Sequence, residues 1–208
     1  MEKVIEGRAG TIDISEAAAV VRSGGVAVLP TDTIYGLHAD AGNKRAIERV
    51  IKIKGKGDAP VFVLLASGMD MAGLVVSSWK HNSRGLLSSV WPAPLTALLP
   101  AADDLNRYAR QQGKVALRVP DYPWLRNLIQ MIGYPIISTS VNRSGERPLS
   151  GFREIRQSFD FLDLYVRGNE ESRGEPSTII DFTSKPPLLI RRGAFDPPFE
   201  TIKEKDNP

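Results

Sequence analysis

Hydroxyl, amide and basic side chains are concentrated in four short segments of this sequence. They are residues 30–37 (PTDTIYGL), 52–60 (KIKGKGDAP), 138–145 (STSVNRSG), and the pair 176–181 (PSTIID) with 189–193 (LIRRG). Such groups on turns bind phosphate and carboxylate oxygens. The segments therefore favour a protein that positions anionic substrates. Each is also compatible with ordinary turn chemistry, a solvated basic loop or a structural hairpin.

Basic residues in these segments indicate how an anion would be held. Three lysines, Lys52, Lys54 and Lys56, occupy alternate positions, so that several ammonium groups can meet one polyanion as point charges. Ser177 and Arg191 stand at predicted strand ends. Arg118 interrupts an otherwise apolar strand, VALRV. A charge at that position either faces solvent or meets a carboxylate in a cleft.

Several kinds of catalysis are disfavoured by what the sequence lacks. It has no cysteine and only two histidines, His38 and His81, so neither thiol chemistry nor a zinc site is expected. It also has no G-x-S-x-G nucleophile elbow, no P-loop and no Rossmann fingerprint. We therefore predict no metal-ligating residues, and a nucleotide would have to be bound by another kind of fold.

Strand and helix patterns alternate between the polar segments. Strands are predicted at 26–29, 61–65, 96–99, 115–119 and 135–138, with a hairpin of 178–181 and 188–191. Helices are predicted at 17–22, 44–54 and 122–132. Ser15 is the expected cap of the first helix, and Gly55 the expected end of the second. This order indicates an α/β fold with a twisted mixed sheet and packed helices.

Length and composition fit one soluble domain. The 208 residues include 42% hydrophobic and 25% charged residues and carry a formal net charge of +3. We expect one domain over 1–200 and a charged, frayed tail over 201–208. Neither a signal peptide nor an apolar run of membrane-spanning length is recognisable, so a cytoplasmic protein without membrane contact is expected.

Seven stretches, read in order, resemble the YrdC-like threonylcarbamoyl-AMP synthase family in its short, single-domain form. They are LPTDTIYGLHADA (29–41), IKGK (53–56), WPAPLTALL (91–99), ALRVPDYP (116–123), STSVNRSGERP (138–148), PSTIID (176–181) and LIRRGA (189–194). Any one of them is a weak match. Their common order and spacing, which extend over most of the chain, make the resemblance specific.

The resemblance implies a twisted α/β fold around a concave, positively charged cleft, and it implies a reaction. In that family L-threonine and bicarbonate form an N-carboxy-threonine, whose carboxylate displaces pyrophosphate from ATP. Mg²⁺ is expected with the ATP. The product, threonylcarbamoyl-AMP, passes to a threonylcarbamoyl-transferase complex that modifies tRNA. Contact of this protein with RNA or tRNA is possible on this reading.

The resemblance also assigns residues by motif. The implied catalytic residues are Lys54, Lys56, Ser140 and Asn142. The implied threonine-binding residues are Thr33, Arg118 and Ser177. The implied ATP-binding residues are Lys54, Lys56, Thr96, Ser140, Asn142, Arg147 and Arg191. No metal ligand is implied.

Departures from the family pattern keep two alternatives open. Lys56 stands where the family normally has arginine, and residues 63–65 lack a histidine that many members carry. The first alternative is a catalytically divergent paralogue that binds RNA or nucleotide without synthase activity, although an exposed aromatic platform typical of single-strand RNA binding is not evident. The second is a carbamoyl-handling enzyme related to hydrogenase maturation proteins.

Overall fold

Strands outnumber helices in the computed structural model, which describes residues 5–55, 62–168, 174–198 and 202–204. The helices are α1 (Ile14–Arg22), α2 (Lys44–Lys54), α3 (Met69–Gly73), α4 (Ser83–Val90), α5 (Pro123–Ile132) and α6 (Phe152–Ser158). The strands are β1 (Ile5–Arg8), β2 (Ala27–Leu29), β3 (Gly36–Asp40), β4 (Val63–Leu65), β5 (Leu95–Pro100), β6 (Lys114–Arg118), β7 (Ile136–Ser140), β8 (Leu164–Arg167), β9 (Thr178–Asp181), β10 (Leu188–Arg191) and β11 (Lys203–Glu204).

All the strands of the described chain join one sheet in the order β1-β8-β2-β3-β7-β4-β6-β5-β9-β10-β11. Its centre combines antiparallel pairs, such as β3 with β7 and β7 with β4, with parallel pairs, such as β4 with β6 and β5 with β9. The predicted mixed sheet and the hairpin of β9 with β10 are therefore confirmed.

Local sequence signals explain why α2 lies where it was predicted. The side chain of Asn43 caps its first turn by accepting a hydrogen bond from the backbone N–H of Ala46 at 3.2 Å. Gly55 ends the helix with a φ of +81°, a conformation that favours glycine. Lys54, in the last turn, is thereby fixed at the junction between the helix and the basic segment.

The first helix begins earlier than predicted. Asp13, not Ser15, is its N-cap, since the carboxylate of Asp13 accepts a hydrogen bond from the backbone N–H of Ser15 at 2.8 Å. The prediction of Ser15 as the cap is therefore wrong. Both residue types cap helices, and the aspartate two positions earlier takes the role because a carboxylate is an effective acceptor for the free N–H groups.

Strand β3 was not predicted, because the polar segment 30–37 was interpreted as a turn throughout. Its sequence GLHAD contains residue types that are depleted in strands. Pairing with β2 on one side and β7 on the other stabilises it as a strand. The turn is consequently shorter than expected, because it ends before Gly36, where β3 begins.

The sheet presents its polar segments on one face. Gly36 is paired with Ser140, and Val63 is paired with Ser138, so these residues lie side by side across β3, β7 and β4. On the other face, Leu37 belongs to the buried core, where α1 and α2 contact β3. The helices therefore leave the polar face of these strands open to a pocket.

Two further features of the described residues concern a membrane-spanning segment and the C-terminal tail. No helix of the described residues is long and apolar enough to cross a membrane. Lys203 and Glu204, within the segment 201–208 that was predicted to fray, pair with β10 as the short strand β11. Residues 205–208 lie outside the described residues.

Candidate active site

A pocket of about 160 Å³ opens on the polar face of the sheet. It is lined by Thr31, Thr33, Ile34, Tyr35, Gly36, Val63, Arg118, Ser138, Thr139, Ser140, Pro176, Ser177 and Arg191. These residues come from three of the four polar segments and from β4 and β6. The predicted threonine-binding residues all belong to this lining, which brings together positions more than a hundred residues apart in the chain.

Arg118 is held in the wall of the pocket by the turn that follows β2. Its Nη1 donates a hydrogen bond to Thr33 Oγ1 at 3.0 Å and lies 3.4 Å from Asp32 Oδ1. The other oxygen of Asp32 accepts a hydrogen bond from the backbone N–H of Asp121 at 3.0 Å. The carboxylate thus joins this turn to the segment that follows β6 and orients the guanidinium.

The environment of Arg118 favours an incoming anion. Arg118 is only 4% exposed, and its buried Nε has no hydrogen-bond partner among the described residues. Burial lowers the pKa of Arg118, the charge of Asp32 opposes that effect, and the charge of Arg191 adds to it. Two arginines of like charge therefore share the lining of one pocket. A ligand carboxylate bound between the two guanidiniums would offset both the cost of burying the charge of Arg118 and the repulsion between the two arginines.

The opposite wall is built from β5, β9 and β10. Thr96 and Ser177 exchange a hydrogen bond at 2.8 Å between their hydroxyl oxygens. Arg191 donates to the backbone carbonyl of Ser177 at 2.7 Å and lies within 3.4 Å of its hydroxyl. Thr96 is fully buried behind Ser177 and is absent from the lining of the pocket. Its place is that of a support for Ser177.

Glycine at position 193 explains how Arg191 comes so close to Ser177. A Cβ at Gly193 would lie 2.2 Å from the carbonyl oxygen of Pro176 and 2.6 Å from the carbonyl carbon of Ser177. No larger residue fits unless that backbone moves. The hydroxyl of Thr178 stabilises this close approach of the two backbone segments, because it accepts a hydrogen bond from the backbone N–H of Gly193 at 3.0 Å.

Lys54, Ser140 and Asn142 form a second cluster, next to the pocket. Lys54 Nζ donates to the carbonyl oxygen of Ser140 at 3.0 Å and to Asn142 Oδ1 at 2.5 Å. The hydroxyl of Ser140 donates to the same Asn142 oxygen at 2.5 Å. Asn142 Nδ2 donates to the carbonyl oxygens of Arg143 and Glu146 at 2.9 and 2.7 Å, so its amide orientation is determined by four partners.

Burial lowers the pKa of two basic side chains at this site, Lys54 and His38. It lowers the pKa of Lys54 to about 8, close enough to neutrality for a bound anion to change the charge of the amine. Burial, with the charge of Arg118 adding to it, lowers the pKa of His38 to about 3. His38 is therefore a neutral imidazole beneath the pocket, where Gly36 leaves room for its ring. Contacts of the ring with the backbone of Ile137 and Leu29 oppose this lowering of the pKa.

Besides Thr96, Arg147 is a predicted ATP-binding residue that is absent from the lining of the pocket. The side chain of Arg147 is 86% exposed, outside the lining, and lies 4.0 Å from the carboxylate of Glu154. Lys56 lies outside the described residues. Sequence reasoning in turn gave no role to Thr31 and Asp32 as individual residues, although the segment PTDT that contains them was selected for its hydroxyls and its carboxylate.

A larger cavity of about 240 Å³ lies further along β5 and β6. It is lined by Ile51, Phe62, Leu98, Arg107, Tyr108, Ala109, Arg110, Gln111, Gln112, Lys114 and Ala116. Ala116 and Arg118 are two residues apart on β6, so both cavities open on the same face of the sheet. An ion pair of Lys114 with Asp181, at 2.7 Å, lies at this second cavity.

The described residues contain no group of three or more His, Asp or Glu side chains that could hold a metal ion. The carboxylate of Asp32, in the wall of the pocket, already contacts Arg118 and the backbone of Asp121. The groups that line the pocket are thus mainly hydroxyls and guanidiniums, which suit anionic ligands.

Comparison with known proteins decides the family. Residues 19–193 match the model of the Sua5, YciO and YrdC proteins, whose description is telomere recombination. This chain belongs to the Sua5/YciO/YrdC family. The matched range contains every residue discussed above as part of the pocket, so the pocket lies within the Sua5/YciO/YrdC domain of this chain.

Members of the Sua5/YciO/YrdC family with assigned names include a threonylcarbamoyl-AMP synthase of Nitrosococcus oceani. It is 35% identical over 167 residues, which cover 79% of this chain and 90% of that protein. Pyrococcus abyssi Sua5 complexed with L-threonine has a TM-score of 0.84 at 27% identity, covering 92% of this chain. This chain spans only 58% of that longer protein. Escherichia coli YciO has a TM-score of 0.82 at 27% identity, covering 94% of this chain and 98% of that one.

Proposed function

We propose that this protein is an L-threonylcarbamoyladenylate synthase, which makes threonylcarbamoyl-AMP and pyrophosphate from L-threonine, bicarbonate and ATP for tRNA modification. The observation that carries the proposal is the pocket in which Arg118 and Arg191 face hydroxyls of Thr33 and Ser177. Its combination of cationic and neutral polar groups suits a small amino acid. The names of the N. oceani relative and of the threonine complex of P. abyssi Sua5 support the same substrate.

In the proposed complex the carboxylate of threonine pairs with the guanidinium of Arg118. Buried arginine is suited to this role because its planar fork binds a carboxylate through two parallel hydrogen bonds. Ser177, oriented by Thr96 and Arg191, faces the same ligand from the opposite wall. Ser140 lines the same pocket, so a bound threonine lies next to the cluster of Lys54, Ser140 and Asn142.

The proposed chemistry needs no protein nucleophile. The amino group of threonine takes up bicarbonate with loss of water and forms a carbamate. A carbamate oxygen then attacks the α-phosphorus of ATP, a new P–O bond forms, and the bond to the leaving pyrophosphate breaks. Reactions of this type depend on alignment and on neutralisation of negative charge. Lys54 supplies the charge next to the pocket, with Ser140 and Asn142 holding the amine in place.

The larger cavity along β5 and β6 supports a place for the rest of ATP. It combines apolar side chains, such as Phe62 and Leu98, with the cations Arg107, Arg110 and Lys114. A base can pack on apolar surface there while its sugar and phosphates extend towards Lys54. We expect Mg²⁺ to accompany ATP and to be bound through phosphate oxygens and water, as this ion usually is.

Further parts of the proposal concern the cell. A cytoplasmic protein would hand the adenylate to a threonylcarbamoyl-transferase complex, which carries out the modification of tRNA. Direct contact with RNA is not needed for the reaction.

Release of pyrophosphate from ATP tests the proposal. Purified protein is incubated with ATP, Mg²⁺ and bicarbonate, with and without L-threonine, and pyrophosphate is measured over time. The proposal predicts release that depends on both threonine and bicarbonate. Folded protein that binds ATP but releases no pyrophosphate would instead identify a binding paralogue without synthase activity, for which Lys56 in place of arginine is the first substitution to reverse.

A further inference from the structure

The hydroxyl of Thr31 has three neighbours within hydrogen-bonding distance. It lies 3.0 Å from the backbone nitrogen of Thr33, 2.8 Å from the carbonyl oxygen of Ile34 and 2.9 Å from the hydroxyl oxygen of Thr33. Thr31 and Thr33 are 5% and 3% exposed, so water does not compete strongly for these bonds. Because all three contacts lie within one turn, their directions can be deduced from the donors and acceptors that are available.

The carbonyl oxygen of Ile34 can only accept, so the single hydroxyl proton of Thr31 points to it. Thr31 Oγ1 must then accept from its other two neighbours. The hydroxyl proton of Thr33 is therefore directed at Thr31, away from the pocket. Arg118 Nη1, which can only donate, approaches Thr33 Oγ1 from another side at 3.0 Å. The bonds run in one direction, from Arg118 through Thr33 and Thr31 to the carbonyl of Ile34.

This direction limits what Thr33 can offer to a ligand. Its proton is used by Thr31 and one lone pair by Arg118, which leaves one lone pair for the pocket. Thr33 can therefore receive a hydrogen bond from a ligand but cannot donate one. A carboxylate or phosphate oxygen has nothing to donate, so the ligand group that meets Thr33 has to carry an N–H or O–H.

We infer that Thr31 is a positioning residue that presents Thr33 Oγ1 as the acceptor for the substrate's α-amino N–H; this rests on the proposed function. In an α-amino acid the nitrogen is attached to the carbon next to the carboxylate. A carboxylate paired with Arg118 consequently brings that nitrogen close to Thr33, which lies beside the same guanidinium. The carbamate formed from a primary amine keeps one N–H, so the contact persists after bicarbonate has been added.

The test compares two ligands on three proteins by titration calorimetry without ATP. The ligands are L-threonine and (R)-3-hydroxybutyrate, which is the same molecule without the amino group. The proteins are wild type, Thr31→Val, which removes the hydroxyl at nearly constant shape, and Thr31→Ser, which retains it. Thermal unfolding and ATP binding of each variant establish that it is folded.

Thr31→Val should weaken L-threonine binding by about tenfold, since loss of one buried hydrogen bond has this size of effect. It should change (R)-3-hydroxybutyrate binding less than about twofold, and Thr31→Ser should remain within about threefold of wild type for both ligands. Equal weakening of both ligands by Thr31→Val, or no weakening of either, would overturn the inference, whereas the proposed function would stand because the wild-type protein still binds L-threonine.

A ligand-free measurement separates this inference from the proposed function. Nuclear Overhauser effects of the slowly exchanging hydroxyl protons report their direction in the free protein. The Thr33 proton should lie against Thr31, and a Thr33 proton that points into the pocket overturns the inference. Wild-type protein that shows the expected proton direction but does not bind L-threonine would overturn the proposed function and the assignment of the amino group together.

Discussion

Lys54 Nζ lies 2.5 Å from Asn142 Oδ1, and this contact joins the last turn of α2 to the loop after β7. The same loop is tied to the helix end by a backbone hydrogen bond from Ser144 to the carbonyl of Lys54 at 2.7 Å. The ammonium group is therefore held in place before any substrate arrives. In the proposed reaction this arrangement means that little rearrangement is needed when the phosphates bind.

Replacement of Lys54 by methionine should lower kcat/KM for ATP by about a hundredfold or more, because a preorganised charge next to the reacting phosphates is lost. Lys52→Met is the matched control, since Lys52 belongs to the same helix but is exposed. It should stay within about twofold of wild type. Steady-state pyrophosphate release with varied ATP measures both variants. Equal activity of Lys54→Met and Lys52→Met would remove Lys54 from the mechanism.

Binding of ATP should weaken as the pH rises through about 8, the value to which burial lowers the pKa of Lys54. Below that pH the amine is charged and attracts phosphate; above it the free protein has lost the charge and must take up a proton to bind. The apparent Kd should increase by up to about tenfold per pH unit above that point. Calorimetric titration of ATP at several pH values measures the slope, which should disappear in Lys54→Met.

Arg118→Ala should raise the KM for L-threonine by about a hundredfold, because a buried carboxylate ligand loses its charged partner. The same variant leaves Asp32 as an uncompensated buried charge, so the free energy of unfolding should fall by about 3 kcal/mol. Arg153→Ala, an exposed arginine on α6, is the control for both measurements. An unchanged KM for threonine in folded Arg118→Ala protein would show that Arg118 does not bind the carboxylate.

Gly193→Ala should disturb the wall that carries Ser177. The new Cβ would lie 2.2 Å from the carbonyl oxygen of Pro176, a backbone atom that cannot move independently. A loss of about 1–3 kcal/mol in unfolding free energy is expected from overpacking of this kind. Gly68→Ala is the control, because no atom lies within 4 Å of its Cβ position. Denaturant unfolding measures the stability of both variants. Equal stability of Gly193→Ala and Gly68→Ala would contradict the close approach of Gly193 to the backbone of Pro176.

The sequence predicted local features of this fold more successfully than the arrangement of its strands. Residues 44–54 were predicted as a helix because an apolar stripe is followed directly by a terminal glycine. The structure adds Asn43 as the N-cap of this helix. Strand β3 was not predicted, because its sequence GLHAD is atypical of a strand. It is stabilised as a strand by pairing with β2 and β7. The pairing of Gly36 with Ser140 joins positions more than a hundred residues apart, and such a distant partner leaves no local signature.

The candidate site was predictable as a set of motifs but not as a set of contacts. Thr33, Arg118 and Ser177 were each selected from their own segment, and they share one pocket. The pairing of Arg118 with Asp32 depends on the register of β6 and on a turn 86 positions earlier, which no pattern within either segment specifies. Likewise, the direction of the hydroxyl protons at Thr31 follows only from the three-dimensional neighbours.

Mass spectrometry of the reaction product tests the central claim most directly. The protein is incubated with ATP, Mg²⁺, L-threonine and bicarbonate labelled with carbon-13, and the nucleotide products are separated at once. The account predicts an AMP adduct whose mass contains threonine and one labelled carboxyl carbon, and which disappears when threonine is omitted. AMP or ADP without such an adduct, from protein that binds both ATP and threonine, would contradict it.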